Sequence, residues 1–145
     1  MYFLIVNPLR TLSVIFVQRQ IMKVLLSIKP EFANKIFDGT KKYEFRRSLF
    51  KNKDVKKVIV YASAPVSRVI GEFEIEDVIQ KKLGDLWDDT KDHSGITKDF
   101  YLSYFQGKEE GYAIKVKKPV KYKEDFCIQE KFGKRAPQSF VYIRA

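Results

Sequence analysis

Apolar and polar positions alternate from residue 23 onward with the periods of strands and helices, which predicts a mixed fold. Residues 24–28 form an apolar run with the length and composition of a buried strand. Pro30 then begins a segment whose apolar residues share one helical face, and Gly39 supplies the left-handed residue that ends such a helix. Further strands are predicted at residues 43–47, 57–62, 69–78, 112–117, 120–122 and 140–143.

The segment from residue 82 to residue 106 has helical spacing and predicts two helices, of which the second is capped by Thr97. The second helix carries an aromatic stripe that is expected to belong to the core: Phe100, Tyr101, Tyr104 and Phe105. The resulting order of short strands and few crossovers predicts an α+β fold. We expect its sheet to curl into a small β-barrel with two or three flanking helices.

Residues 1–21 differ in composition from the rest of the chain. They contain no acidic residue, and Pro8 and Arg10 divide their apolar residues into short runs. A membrane span needs about 20 continuous apolar residues, and no signal-cleavage pattern follows, so neither a membrane segment nor a signal peptide is predicted. Residues 11–17 suit a strand, but Met22 begins MKVLLSIKP, which is typical of a natural chain start. We expect residues 1–21 to be an extension outside the native domain, and residues 22–145 to form the domain.

The charge balance favours anionic partners. The chain has 28 Lys and Arg against 18 acidic residues, a net charge of +10, and nucleic acid is the first partner to expect from such an excess. Residues 40–57 carry a net charge of +6 and residues 115–135 one of +5, whereas residues 72–99 carry −5. We expect the two basic segments to form one positive rim. The alternative is a basic composition that serves solubility alone.

Length and residue counts exclude several classes of protein. A chain of 145 residues is one domain with room for a sizeable core. One Cys excludes a disulfide framework and favours a reducing compartment, so a cytoplasmic location is expected. One His and one Cys cannot supply the four ligands of a structural zinc site. The phosphate-loop, dinucleotide, esterase and zinc-protease motifs do not occur in the sequence, so no metal and no cofactor is predicted.

One segment, GTKKYEFR at residues 39–46, concentrates groups that can do chemistry. Glu44 and Arg46 share a face of a regular strand, and Lys41 joins them only if the turn after the glycine is irregular. If the three converge on a cleft, Lys41 can bind an anion, Glu44 can move a proton and Arg46 can hold a carboxylate or phosphate. The alternative is a solvated strand with one ion pair of small energetic effect.

The stretch SIKPEFANKIFDGTKKYEFRR resembles the signature of the ASCH domain family, whose motif is G-x-K-x-x-E-x-R. Gly39, Lys41, Glu44 and Arg46 match that motif in full. YASAPVSRVIGEFEIEDV and APQSFVYI resemble the family's next strand pair and its closing segment, so the resemblance runs from about residue 22 to the end. It implies a barrel similar to PUA domains, a cleft beside the motif, and a role in RNA binding, RNA-linked regulation or modified-nucleoside chemistry.

The resemblance leaves open whether the chain is an enzyme. Some family members are amidohydrolases that deacetylate N4-acetylcytidine, and others have been assigned ribonuclease activity. The amidohydrolases use three residues: the motif lysine, which Lys41 matches, a threonine at the position of Glu44, and a glutamate in the later helical region. For that glutamate this chain offers Asp92 or His93. Lys41 and Glu44 are therefore the predicted catalytic residues if the chain is an enzyme.

Further side chains near the motif are candidates for ligand contacts. Lys29 adds positive charge at a helix start, and Ser63 follows the end of a strand. Gln138 and Ser139 precede the last strand, where an amide and a hydroxyl can meet a base edge; ordinary turn and strand-end roles are the alternatives. The predicted ligand-binding set is Lys29, Lys41, Glu44, Arg46, Ser63, Gln138 and Ser139.

The leading prediction from these residues is a domain that binds RNA or a nucleotide-like ligand in a basic cleft. The first alternative is a hydrolase that acts on a modified nucleoside or on RNA phosphodiesters. A more distant one is an interaction domain whose basic surface meets an acidic protein. The sequence leaves the oligomeric state open.

Overall fold

The computed structural model of the protein describes residues 2–5, 13–16 and 22–144. The elements in chain order are β1 (Tyr2–Ile5), β2 (Ser13–Phe16), β3 (Met22–Ile28), α1 (Pro30–Asp38), β4 (Tyr43–Arg46), β5 (Lys57–Ala62), β6 (Arg68–Lys82), α2 (Leu83–Thr90), α3 (Lys98–Tyr104), β7 (Glu110–Phe126), α4 (Ile128–Phe132) and β8 (Phe140–Arg144). A 3₁₀ turn, Lys91–His93, follows α2. No helix within these residues has the length and apolar character needed to span a bilayer.

Strands β3 to β8 form one six-stranded sheet in the order β4-β7-β6-β5-β3-β8. β3 and β5 run parallel, and the other neighbours run antiparallel. β1 and β2 pair with each other in a separate two-stranded sheet, and β2 falls within the range 11–17 for which the sequence suited a strand. The α+β class expected from the sequence is confirmed. The expected barrel is not, because β4 and β8 end the strand order and no strand pairing joins them.

The apolar runs of β3 and β5 are buried because both faces of the sheet are covered. On one face, Val24, Leu26 and Ile28 pack with Phe32 and Ile36 of α1. The opposite face carries a second cluster, which α4 covers: Leu25, Ile59, Tyr61, Val69, Ile128 and Ile143. A third cluster packs α2 and α3 onto β4 and β7: Phe45, Leu86, Tyr101, Phe105 and Ala113. Alternation along the strands thus divides one apolar run between two cores.

The helix after β3 begins and ends as its sequence predicts. Pro30 is its first residue, where a missing N–H costs no hydrogen bond, and Gly39 ends it at φ 87°. The segment between Gly39 and β4 is irregular. Lys41 lies in it, so its side chain is free of the strand alternation that governs Glu44 and Arg46.

The predicted strands at 112–117 and 120–122 are one continuous strand, β7. The sequence suggested a break at Pro119, but Lys118 takes a positive φ of 48° and the register against β6 shifts there, so the strand continues through an irregularity. The short helix α4 was not predicted. Five residues make too short a segment for helical periodicity to be recognised.

Candidate functional site

A cavity of about 540 Å³ lies where the start of α1, β4, α3, the turn after β5 and the approach to β8 meet. Sixteen residues line it: Ser27, Ile28, Lys29, Phe32, Lys41, Glu44, Phe45, Arg46, Arg47, Ser48, Ser63, Ile96, Phe100, Tyr104, Gln138 and Ser139. All seven residues of the predicted ligand-binding set are among them. Four of the lining residues are Lys or Arg and one is acidic, so the cavity favours an anionic ligand.

Lys41 is the most deeply buried charged group of the cavity, with 2% of its surface exposed. Its Nζ donates a hydrogen bond to the Ser94 carbonyl at 2.6 Å. The ammonium also lies 4.9 Å from the ring centre of Phe45 and 5.4 Å from that of Phe32. Burial lowers the pKa of Lys41 to about 8, although the nearby Glu44 carboxylate opposes that shift.

The loop that follows the 3₁₀ turn holds Lys41 in place. Three consecutive carbonyls, from the last residue of the turn into this loop, accept hydrogen bonds from lysines: His93 from the Lys42 N–H at 2.9 Å, Ser94 from Lys41 Nζ, and Gly95 from Lys35 Nζ at 3.0 Å. Gly95 also packs on the Lys41 side chain. A Cβ at this position would lie 2.6 Å from Lys41 Cβ, and the backbone has a φ of +68°, so glycine is required for both reasons.

Arg46 joins the two ends of the sheet. It projects from β4, and its Nη2 donates to the Ser139 carbonyl at 3.1 Å and to the Ser139 hydroxyl at 2.8 Å. Its Nη1 donates to the Ser27 carbonyl at 3.3 Å. Because Ser27 lies in β3 and Ser139 immediately precedes β8, this side chain spans a gap that no strand pairing closes. Much of its donor capacity is therefore used within the protein.

The Glu44 carboxylate is buried but has few partners. Its Oε1 lies 3.6 Å from Arg46 Nη1, an ion pair longer than a hydrogen bond. Every fully buried side-chain oxygen or nitrogen among the described residues has a hydrogen-bond partner. The Glu44 oxygens accept no hydrogen bond from these residues, so they are not fully buried and reach the cavity. This carboxylate can therefore accept hydrogen bonds from a ligand.

The remaining predicted residues lie around the mouth of the cavity. Lys29 is exposed just before α1, and its Nζ sits 5.2 Å from the Phe100 ring centre. Ser63 is held by its N–H, which donates to the Ile28 carbonyl at 2.9 Å. Gln138 is exposed beside the half-buried Ser139. These groups place one cation, two hydroxyls and one amide where a ligand enters.

The aromatic stripe of α3 divides into two parts, which periodicity alone did not reveal. Tyr101 and Phe105 are fully buried in the core, as expected. Phe100 and Tyr104 line the cavity instead, with nearly parallel rings whose centres are 6.3 Å apart. The Tyr104 hydroxyl donates to the Phe45 carbonyl at 3.2 Å, and burial raises the pKa of Tyr104. The i, i+4 spacing could have indicated a separate helix face.

Asp92 and His93 do not line the cavity. Both side chains are exposed, and the structure uses only the backbone carbonyl of His93, which holds Lys42. Neither therefore replaces the later glutamate of the amidohydrolases. The second basic segment, 115–135, also contributes no lining residue, although Lys115 pairs with Tyr43 at the start of β4. The positive charge of the cavity comes from Lys29 and the first basic segment.

Comparison with known proteins identifies the family of the chain. The sequence model described as ASCH domain matches residues 26–120, which include the whole motif of residues 39–46. This chain belongs to the ASCH domain family. The resemblance first seen in the motif residues is thereby confirmed, and the matched segment supplies all the lining residues of the cavity except Gln138 and Ser139.

Two curated relatives of this chain match it over similar numbers of residues, but the match covers different shares of their own length. A protein of Ureaplasma parvum named "Large ribosomal subunit protein uL22" is 28% identical over 121 residues, which are 83% of this chain and 39% of that protein. The chain thus spans well under half the length of that relative. The "ASCH domain-containing ribonuclease" of Zymomonas mobilis is 28% identical over 127 residues, 84% of each chain.

Solved structures from Zymomonas mobilis share the fold of this ASCH domain. The crystal structure of ASCH from that organism matches with a TM-score of 0.73 at 28% identity, over 84% of this chain and 87% of that one. A serine-to-alanine mutant of the same protein matches with a TM-score of 0.77 at 26% identity, over 84% and 88%.

Proposed function

We propose that this ASCH domain binds RNA and holds one nucleotide in the cavity beside Lys41, which then acts as a basic cleft. The single observation that carries the proposal is the convergence of cations, a carboxylate and two parallel aromatic rings on one cavity of about 540 Å³. Ligand pockets typically measure about 300–1,000 Å³, so a nucleotide is a suitable size. The relative named a ribonuclease, which aligns over most of both chains, supports an RNA-related role.

Each chemical part of a nucleotide has a matching group in the cleft. Phe100 and Tyr104 offer a surface on which a base can stack, and stacking is tolerant of base identity. The Gln138 amide and the Ser63 hydroxyl suit base edges or the ribose hydroxyls. Lys29 and Arg47 at the mouth suit the phosphates. The site therefore recognises a nucleotide through its general parts, with an RNA-linked regulatory role as the proposed use.

Cleavage of an RNA phosphodiester is the second candidate, and the buried Lys41 favours it. A lysine with a pKa of about 8 changes protonation near neutral pH, which suits proton transfer. In the proposed step, the Glu44 carboxylate accepts the proton of a ribose 2′-hydroxyl, and O2′ attacks the adjacent phosphorus. The bond from phosphorus to O5′ breaks, and Lys41 gives its proton to O5′. The products are a 2′,3′-cyclic phosphate and a 5′-hydroxyl, and no metal or other reactant is consumed.

Two substitutions separate binding from cleavage. Lys41→Ala removes the cation that both need, so both binding and turnover should fall by at least tenfold. Glu44→Gln keeps the shape and loses the charge, so cleavage should stop while binding stays within about threefold. Binding is measured by fluorescence anisotropy of labelled RNA, and cleavage by gel electrophoresis of the same RNA. Lys42→Ala, at an exposed position next to Lys41, is the matched control.

The ligand class is tested with a panel of short single-stranded RNAs, free nucleosides and N4-acetylcytidine. RNA binding should weaken steeply with salt, because each phosphate contact releases counterions. Conversion of N4-acetylcytidine to cytidine would assign the amidohydrolase activity instead. Wild-type affinity that survives in Lys41→Ala, with no turnover of any substrate, would remove the cavity as the site.

The proposal takes residues 22–145 as the RNA-binding domain and residues 1–21 as an extension outside it. It also takes the sheet as an incomplete barrel, since Arg46 links β4 to β3 and to the approach to β8. A cytoplasmic location fits an RNA partner and the single cysteine.

A further inference from the structure

A second cavity of about 1010 Å³ lies next to the cleft. Arg47 and Ser48 line both cavities, so the two meet at these residues. The other walls of the second cavity are the loop of residues 49–55, residues 107–112 and two residues of β6. The combined space exceeds what one nucleotide fills.

Arg47 is a fixed guanidinium at the junction of the two cavities. Its Nη1 donates to the carbonyl of Tyr104 at 2.8 Å and to that of Gln106 at 2.7 Å, which anchors the side chain to the end of α3. Nε and Nη2 donate to no group among the described residues, and the side chain is exposed. An immobilised guanidinium with unused donors is well suited to bind a phosphate in two-pronged fashion.

The second cavity carries further cations without internal partners. Lys51, Lys53 and Lys108 are exposed, and none has a carboxylate within 4.0 Å among the described residues. Lysines on the β6–β7 ladder differ in this respect, since Lys115 and Lys118 pair with glutamates of β6. Two acids, Glu109 and Glu110, also line the cavity, and Gln80 donates to Glu110 at 3.3 Å. Four cations therefore face two carboxylates.

The loop that carries two of these lysines is held in position. The Tyr142 hydroxyl accepts the N–H groups of Lys51 and Asn52, each at 3.1 Å. The Asn52 side chain in turn accepts the Asp54 N–H at 2.9 Å. Apolar surface lies below the lysines, from Leu49, Phe50, Val55 and Tyr112. Because the loop is already held in place, a ligand that binds here loses little affinity to ordering it.

We propose that the second cavity binds the nucleotides next to the one in the cleft, with Arg47 on the connecting phosphate. The ligand is then a single-stranded RNA of several nucleotides rather than a free nucleoside. A duplex keeps its bases paired and stacked, so none of its bases can stack on Phe100 and Tyr104 unless a base pair opens. This inference rests on the proposed function, because it extends the same bound strand.

The test measures how affinity depends on RNA length, and whether that dependence needs the positive charge of the second cavity. Uridine oligonucleotides of one, two, four and eight residues are titrated against the wild type and the triple variant Lys51→Gln, Lys53→Gln, Lys108→Gln. The control triple variant removes the same charge from exposed lysines that line neither cavity: Lys82→Gln, Lys121→Gln, Lys123→Gln. Thermal unfolding checks that all three proteins are folded. A third variant, Glu109→Gln with Glu110→Gln, removes the two acids that line the second cavity.

We expect wild-type affinity to rise at least tenfold from one to four nucleotides. The triple variant should lose that rise, and the slope of log affinity against log salt should fall by about 2, since each lost phosphate contact contributes about 0.7. Binding of the mononucleotide should stay within twofold. The control triple variant should keep the rise of affinity with length and nearly the whole salt slope of the wild type. The variant without Glu109 and Glu110 should bind the four-residue RNA more tightly than the wild type does.

Affinity independent of length, or equal losses in the two triple variants, would overturn this inference and leave the cleft intact. Failure of the wild type to bind the mononucleotide and every oligonucleotide would overturn the proposed function itself. Poly-glutamate tests an acidic protein as the occupant. Displacement of the eight-residue RNA by poly-glutamate at equal charge concentration would contradict the inference, because it would show that the second cavity selects negative charge rather than RNA.

Discussion

Lys41 should make this protein less stable at neutral pH, and its replacement by methionine should therefore stabilise the fold while removing the activity. Methionine has a similar length and no charge, so it fills the space between Phe32, Phe45 and Gly95 without a desolvated ammonium. Buried charges that cost stability are typical of functional sites.

The magnitude follows from the pKa of Lys41. Burial lowers this pKa from 10.5 to about 8, which corresponds to about 3 kcal/mol against the charged form in the folded state. Methionine gives up the hydrogen bond to the Ser94 carbonyl and the contacts with two rings, together worth about 2 kcal/mol. The net gain is about 1 kcal/mol at pH 7, or a rise in Tm of about 3–5 °C.

The pH dependence identifies the cause. The unfolded chain binds the Lys41 proton more tightly than the folded chain, so stability rises with pH wherever their proton occupancy differs. The penalty is complete below pH 8 and disappears as pH rises from about 8 to 10.5. The stability advantage of Lys41→Met should therefore shrink over this window and change sign near about pH 9, above which the lost hydrogen bond and ring contacts outweigh what remains of the penalty.

The assay is urea unfolding at several pH values between 6.5 and 10, followed by Trp87 fluorescence and circular dichroism. Lys42→Met is the control, since this exposed neighbour should change the free energy of unfolding by no more than about 0.5 kcal/mol. A Lys41→Met protein that is less stable than the wild type by the same amount at every pH would refute the reasoning. That result would mean that packing and hydrogen bonds, and not desolvated charge, dominate at this position.

Four further changes test the cleft and the extent of the domain. Arg46→Lys cannot reach both Ser27 and Ser139, so it should lower the free energy of unfolding by about 2 kcal/mol in urea titrations. Gly95→Ala should cost about 2 kcal/mol and weaken RNA binding in anisotropy measurements, because the φ of +68° and the contact with the Lys41 side chain both oppose a Cβ. Phe100→Leu should weaken RNA binding about tenfold through lost stacking, with the salt slope unchanged. Removal of residues 1–21 should shift the Tm by no more than about 3 °C, as measured by calorimetry.

Local patterns were sufficient to predict most elements of this ASCH domain. The strand at Lys57–Ala62 and the helix that ends before Gly39 follow from residues two to four positions apart, which is the range over which alternation and capping act. The long strand β7 was predicted as two separate strands, because neighbouring strands decide whether a strand continues past a proline. The short helix α4 was missed, because five residues are too few for periodicity.

The candidate residues could be named from the motif, but their surroundings could not. Lys41, Glu44 and Arg46 are close in sequence, whereas the Ser94 carbonyl that holds Lys41 is 53 residues away and the Ser139 groups that hold Arg46 are 93 residues away. The i, i+4 spacing separates Tyr104 from Tyr101 on α3, but it does not say which of the two faces the cavity and which the core.

The sequence by itself determined which side chains are available, which of them lie on strands and helices, and that a cluster of charges follows the Gly39 turn. Only the tertiary structure decided which of those charged groups are buried and which donate hydrogen bonds within the protein. Burial lowers the pKa of Lys41, and Arg46 donates hydrogen bonds to carbonyls that are distant in sequence. The physical reason is that solvation and hydrogen-bond partners depend on atoms brought together by packing, whereas elements depend on neighbours along the chain.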